Sequence, residues 1–87
     1  MPELIHEHSE RIVDSSGATY VVYVYGEPRA DGTWRGWIEF HPLAGGAPAL
    51  RTGQETSQPD KKALIYWASG LEPIYLEGAF DRARPIP

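Results

Sequence analysis

Cysteine is absent from the 87-residue chain. That rules out a disulfide framework, a thiolate metal site and a cysteine nucleophile, and it suits a reducing compartment. Nor does any apolar run approach the roughly 20 residues a helix needs to cross a bilayer. The opening residues, Met1-Pro2-Glu3-Leu4-Ile5-His6-Glu7-His8, have neither the basic start nor the apolar stretch of a secretory signal. A cytoplasmic protein is the expectation. A basic cluster is also missing. Eight basic side chains face twelve acidic ones, for a formal charge of -4. Arg11, Arg29, Arg35 and Arg51 are scattered, and local pairs occur only at Lys61-Lys62 and at Arg82 and Arg84. Such a field repels phosphate backbones, so nucleic-acid binding needs a basic patch assembled by the fold.

Catalytic signatures are missing too. Ser9, Ser15, Ser16, Ser57 and Ser69 all fall in turn or helix contexts, and no Gly-x-Ser-x-Gly elbow surrounds any of them. The Gly-rich stretch Leu43-Ala44-Gly45-Gly46-Ala47 lacks the Lys-Ser/Thr ending of a phosphate loop. Glu39, Glu77 and Asp81 could form a carboxylate pair for acid–base work, but alternating charge on a solvent face explains them better. His6 and His8 would share one side of an extended segment, a spacing at which two imidazoles can bind one metal. A complete site would need His41 or a carboxylate to join them. The expectation is therefore a protein with no catalytic residues and no cofactor or metal. A small hydrolase would instead require a concave pocket with clustered carboxylates or histidines.

What the chain does have is large side chains and turns. Three Trp, five Tyr and two Phe accompany nine Gly and eight Pro. That combination points to one folded, strand-rich domain over residues 1–87, with 1–8 and 82–87 expected to fray. Thr19 to Tyr25 is an unbroken β-branched and aromatic run between Gly17 and Gly26, and is the clearest strand. Residues from about Ser9 to Asp14 should pair with it as a hairpin across Ser15-Ser16-Gly17. A second turn at Ala30-Asp31-Gly32-Thr33 leads into a third strand, Thr33 to His41, to give an antiparallel meander. Ala49 to Thr52 can add a short fourth strand. The helix signal follows. Ser57 is a candidate N-cap with Asp60 three residues on. Ala63, Leu64, Trp67, Ala68 and Leu71 form one stripe, and Gly70-Leu71 forms a C-terminal cap. Ile74 to Phe80 has apolar residues on one side and reads as a last strand. The predicted class is α+β: a two-layer domain of order β-β-β-(β)-α-β, with three to five antiparallel strands and one helix on one face.

Strand parity then divides the side chains between two faces. Val22, Val24, Ile38, Phe40 and Leu76 should lie beneath Leu64 and Trp67, with Gly36 leaving room for a bulky helix residue such as Trp67. A single helix covers only one face. Tyr23, Tyr25, Arg35, Trp37 and Tyr75 should therefore face solvent or a partner. Polar-tipped aromatics and arginine are enriched at interfaces, so these five are the candidate interaction surface. The same residues would also stabilise an exposed sheet through cross-strand pairs. A protein partner or self-association is expected from this pattern. The alternative is single-stranded nucleic acid stacked on the same rings, with Arg35 and the C-terminal arginines, although an RRM has two helices where this sequence signals one, and an RNP consensus that it lacks.

One stretch resembles a known family. Gly36-Trp37-Ile38-Glu39-Phe40-His41-Pro42-Leu43, then Arg51-Thr52-Gly53-Gln54-Glu55-Thr56, then the helix, resembles the strand-end, Gly-Thr turn and helix layout of HicB-like antitoxin domains. The likeness covers about residues 18 to 80. It implies a partial ribonuclease-H-like fold of order β-β-β-α-β and a regulatory, protein-binding role. The acidic Pro-Asp-Leu-Pro-Gly stretch usual in that family is replaced here by His41-Pro42-Leu43-Ala44-Gly45. The additional C-terminal DNA-binding segment common in the family has no counterpart in these 87 residues. The runs Asp31-Gly32-Thr33-Trp34 and Leu71-Glu72-Pro73, with the segments around them, are also similar to a small family of bacterial domains with no assigned activity.

Overall fold

A computed structural model describes residues 1–87. The strand-rich sequence folds into one antiparallel sheet with a helical layer on one side. The strands are β1 (Glu3–Val13), β2 (Thr19–Pro28), β3 (Trp34–Pro42), β4 (Leu50–Arg51), β5 (Thr56–Gln58) and β6 (Arg84–Pro85). The helices are α1 (Lys61–Ser69) and α2 (Pro73–Arg82). The sheet order is β1-β2-β3-β4-β6, and β5 pairs with β3 beyond β4. The α+β class and the β1-β2-β3 meander are as the sequence predicts. No helix is long and apolar enough to cross a membrane.

β4 and β5 divide one edge of β3 between them. β4 pairs at Glu39 and Phe40, and β5 pairs from Trp34 to Gly36. Thr52 bridges the gap. Its N–H donates to the Ile38 carbonyl at 2.9 Å, and its buried Oγ1 accepts the Ile38 N–H at 3.1 Å. No strand N–H of Ile38 is left unpaired where the ladder changes partner.

The C-terminal third corrects the predicted order. Ile74 to Phe80 is not a strand but most of α2. Pro73 sits at the first helical position, where its missing N–H costs nothing, so it starts a helix as well as ending the one before. Leu76, Ala79 and Ala83 are buried at helical spacing, whereas Ile74 is 77% exposed. The alternation of Ile74 and Leu76 imitated a strand. Strand pairing also extends into both end segments: β1 begins at Glu3, and β6 pairs with β4. The N-cap is Asp60 and not Ser57, since its carboxylate accepts the Ala63 N–H at 2.8 Å.

Both helices pack on the face carrying Tyr20, Val22, Val24, Ile38 and Phe40, with Ala68, Leu76, Ala79 and Ala83 in the same cluster. Phe40, Ile38, Leu64, Leu76, Val22 and Val24 are fully buried, each worth about 1.5–3 kcal/mol of gross transfer energy. Leu64 is seated by a glycine pair. Gly26 and Gly36 are direct cross-strand partners. A Cβ on Gly36 would meet Leu64 Cδ1 at 2.7 Å, and one on Gly26 would collide with Leu64 Cδ2. The residue filling the space above Gly36 is thus Leu64 and not Trp67.

Two polar ties close the layers. His8 is buried on β1, and its Nε2 lies 2.8 Å from the Ala68 carbonyl. A carbonyl only accepts, so Nε2 carries the proton and gives the Ala68 oxygen a short bond beside the long 3.4 Å one it accepts from the Leu71 N–H. Before β5, Glu55 accepts the Tyr75 hydroxyl at 2.6 Å and Arg82 Nη2 at 2.6 Å. Burial pushes Tyr75 up to about 12, with the bond to Glu55 adding to it.

Gly36→Ala should destabilise the protein by about 1–3 kcal/mol in urea unfolding, despite the entropic gain alanine usually brings. In a Leu64→Ala background the added cost should shrink, because the closest obstructing methyl is gone and only the 3.1 Å approach to Thr56 Cγ2 remains. Tyr75 keeps its proton longer folded than unfolded, so its contribution is complete below about pH 10 and is lost as pH rises through about 12. Tyr75→Phe should flatten that alkaline loss in pH-dependent melts.

Candidate interaction surface

Directly paired strand residues project to the same side, so the register defines the face opposite the helices. It holds Leu4, Glu7 and Arg11 of β1, beside Tyr25, Tyr23 and Val21 of β2. On β3 it holds Arg35, Trp37, Glu39 and His41. Arg51 of β4 lies opposite Glu39, and Arg84 of β6 lies opposite Arg51. No helix packs on this side.

The rings form a connected row. His41 and Tyr23 meet edge-on at 5.3 Å, Tyr23 and Tyr25 at 6.3 Å, and Tyr25 and Trp37 lie parallel at 6.4 Å. The Arg35 guanidinium covers Trp37, 4.5 Å from its ring centre, a cation–π contact. Arg35 Nε also bonds Glu27 at 2.8 Å. Glu39 links the row from below: its Oε2 accepts the Trp37 indole N–H at 3.0 Å, and its Oε1 lies 2.9 Å from His41 Nε2. Tyr25 is held above its usual pKa, by burial first and then by the charge of Glu39 and by Tyr23. Trp37 is only 4% exposed. What remains partly accessible is Tyr23 and Tyr25, with Arg35 and His41.

Four of the five expected surface residues are therefore together: Tyr23, Tyr25, Arg35 and Trp37. Tyr75 is not with them. It lies on α2, where its ring meets Trp67 edge-on at 6.1 Å within the helical layer. The misassigned last strand caused that error. Glu27, Glu39 and His41 belong to the row, and the alternation along β3 puts Glu39 and His41 on the same side as Trp37.

Charge is uneven across the molecule. This face holds four arginines (Arg11, Arg35, Arg51, Arg84) against three glutamates (Glu7, Glu27, Glu39). That leaves four basic and nine acidic side chains for everything else. In the sequence Arg84 stands out only as a local basic pair with Arg82; its segment reads as a tail, so its place on this face was not predicted.

The other candidates do not assemble. His6 and His8 are neighbours, with ring centres 4.6 Å apart, but they lie on the helix side of β1. His41 is on the opposite face. No three His, Cys, Asp or Glu side chains come close enough to hold a metal ion. One cleft of about 460 Å³ opens between the end of β1 and α2, with Arg11, Asp14, Glu77 and Asp81 on its walls. Asp14 Oδ1 is occupied there by its own turn, accepting the Ser16 and Ala18 N–H groups at 2.9 Å. Glu39 is not part of this cleft. Comparison of the chain with protein-family models, curated proteins and solved structures finds no match.

Burial, and then the nearby His8, hold His6 below its ordinary pKa. The unfolded chain therefore binds this proton more readily than the folded one. Stability should be complete above about pH 6.5 and should fall as pH drops from there toward the lowered folded value. His6→Gln should flatten the acid limb of a pH-dependent melting series.

Proposed function

We propose that this protein is a non-enzymatic interaction module that binds a protein partner through the uncovered sheet face, in a regulatory role of the HicB-like antitoxin kind. The observation that carries this reading is the connected row of Tyr23, Tyr25, Trp37 and Arg35 on a face that no helix covers. Rigid, ring-bearing side chains with polar tips supply contact area at low entropic cost. Here they are already fixed by one another and by Glu39, so little ordering remains for association to cost. A cysteine-free composition fits a cytoplasmic setting.

Nucleic acid is the second reading, and the four arginines sharing this face favour it. The rings argue the other way. Base stacking needs an open π-face, and Trp37 has Arg35 over its ring and Tyr25 lying parallel to it. The rest of the molecule is strongly acidic.

Immobilised wild-type protein should retain a specific partner from a lysate of the source cell. Tyr25→Ser or Tyr23→Ser should weaken that retention about tenfold, in the range of an interface hot spot. Tyr66→Ser, at an 82%-exposed position on α1, should leave it unchanged. Retention that ignores the tyrosines overturns the contact surface. A retained RNA whose binding falls steeply with salt selects the nucleic-acid reading.

A further inference from the structure

Arg51 and Arg84 stand directly opposite one another in the β4–β6 pair. Side chains so placed are about 5 Å apart at Cβ, and like charges there repel. Neither arginine has a carboxylate partner. Glu39 is directly across from Arg51, yet its two oxygens are engaged by Trp37 and His41 and it forms no ion pair with Arg51. Arg84 Nη1 turns back to the Arg82 and Ala83 carbonyls, at 3.4 and 3.1 Å, and its Nε and Nη2 make no bond. Arg51 makes no side-chain bond at all, and both residues are exposed. Two planar guanidinium forks therefore share one end of the face with their charge unspent. The carboxylate across the ladder, Glu39, is turned toward the aromatic row.

We infer that the Arg51–Arg84 pair is a receptor for a carboxylate on an acidic segment of a partner protein. This rests on reading the uncovered face as a protein contact surface. A guanidinium fork matches a carboxylate with two parallel hydrogen bonds. A carboxylate between the two forks removes their mutual repulsion in the same step. The domain's -4 charge opposes either polyanion, but a nucleic acid also needs an open π-face for its bases, and Trp37 is covered by Arg35 and flanked by Tyr25. The acidic segment is thus favoured over nucleic acid. The aromatic row then packs the residues beside the anchored carboxylate.

The test uses the full chain and a labelled oligoglutamate peptide, with a labelled oligouridylate alongside. Wild type should bind oligoglutamate more tightly than oligouridylate. Arg51→Gln and Arg84→Gln should each weaken oligoglutamate binding about fivefold or more, as expected for a lost charge-assisted pair. Lys62→Gln removes the same charge from α1 and should leave binding unchanged. In the unmutated protein, the Nε resonances of Arg51 and Arg84 should move on titration with oligoglutamate while that of Arg29 stays in place. The proposal is overturned by oligoglutamate that fails to bind wild type, by binding indifferent to both arginines, by equal loss in Lys62→Gln, or by tighter binding of oligouridylate. Indifference to the arginines, with the partner still lost in Tyr25→Ser, discards the receptor and keeps the contact face. The converse result discards the contact face.

Discussion

The seat of Leu64 over Gly26 and Gly36 governs the arrangement of the whole domain. Two strands present bare backbone at the same level, and only there can a leucine on α1 descend onto the sheet without meeting a side chain. That contact fixes how closely the helix approaches and where along β2 and β3 it lies. Ala68, one turn further along the same stripe, then reaches the core cluster, and the Ala68 carbonyl comes within reach of His8. The close approach of the helix and the polar tie from β1 are parts of one geometric solution, since a helix held further out would leave the His8 N–H without a partner.

The separation of the two faces follows from the same contact. Once α1 and α2 occupy one side, every second residue of β2 and β3 is committed to the other. The outward set is not a loose apolar surface. Glu39 supplies two acceptors to Trp37 and His41, Arg35 covers the indole, and the tyrosines lean on each other. A tryptophan on an uncovered sheet would ordinarily expose much of its ring, and this one is enclosed by its own neighbours. Shape and hydrogen bonding are thus set before any association. At the far end of the face, drawing Glu39 into the aromatic row leaves Arg51 and Arg84 without a counter-charge.

The part of this design carried by short-range pattern was legible in the sequence. The β-branched and aromatic run of β2, the Asp-Gly turn and the stripe Leu64, Trp67, Ala68 gave the meander, the first helix and the core face. Parity along β2 and β3 was enough to gather Tyr23, Tyr25, Arg35 and Trp37. The second helix was not legible, because Pro73 both ends one helix and begins the next, and because Ile74 and Leu76 alternate as a strand would. That single misassignment misplaced Tyr75. The tail was missed for another reason. Arg84 and Pro85 have no strand signal of their own, and they are held by pairing with β4, which is equally short. Such pairing depends on a tertiary contact that no local spacing encodes. The tie between Glu55, Tyr75 and Arg82 was hidden for the same reason.

β1 forms the outer border of the sheet, and its ladder with β2 is interrupted twice, between Leu4 and His6 and between Glu7 and Arg11. Each interruption twists the border and breaks the even spacing of its outward amide and carbonyl groups. An approaching strand from another molecule would find no long, flat template to extend, and the acidic Glu7 and Glu10 add repulsion between like borders. Edge-to-edge addition of a further strand is thereby resisted along the β1 border.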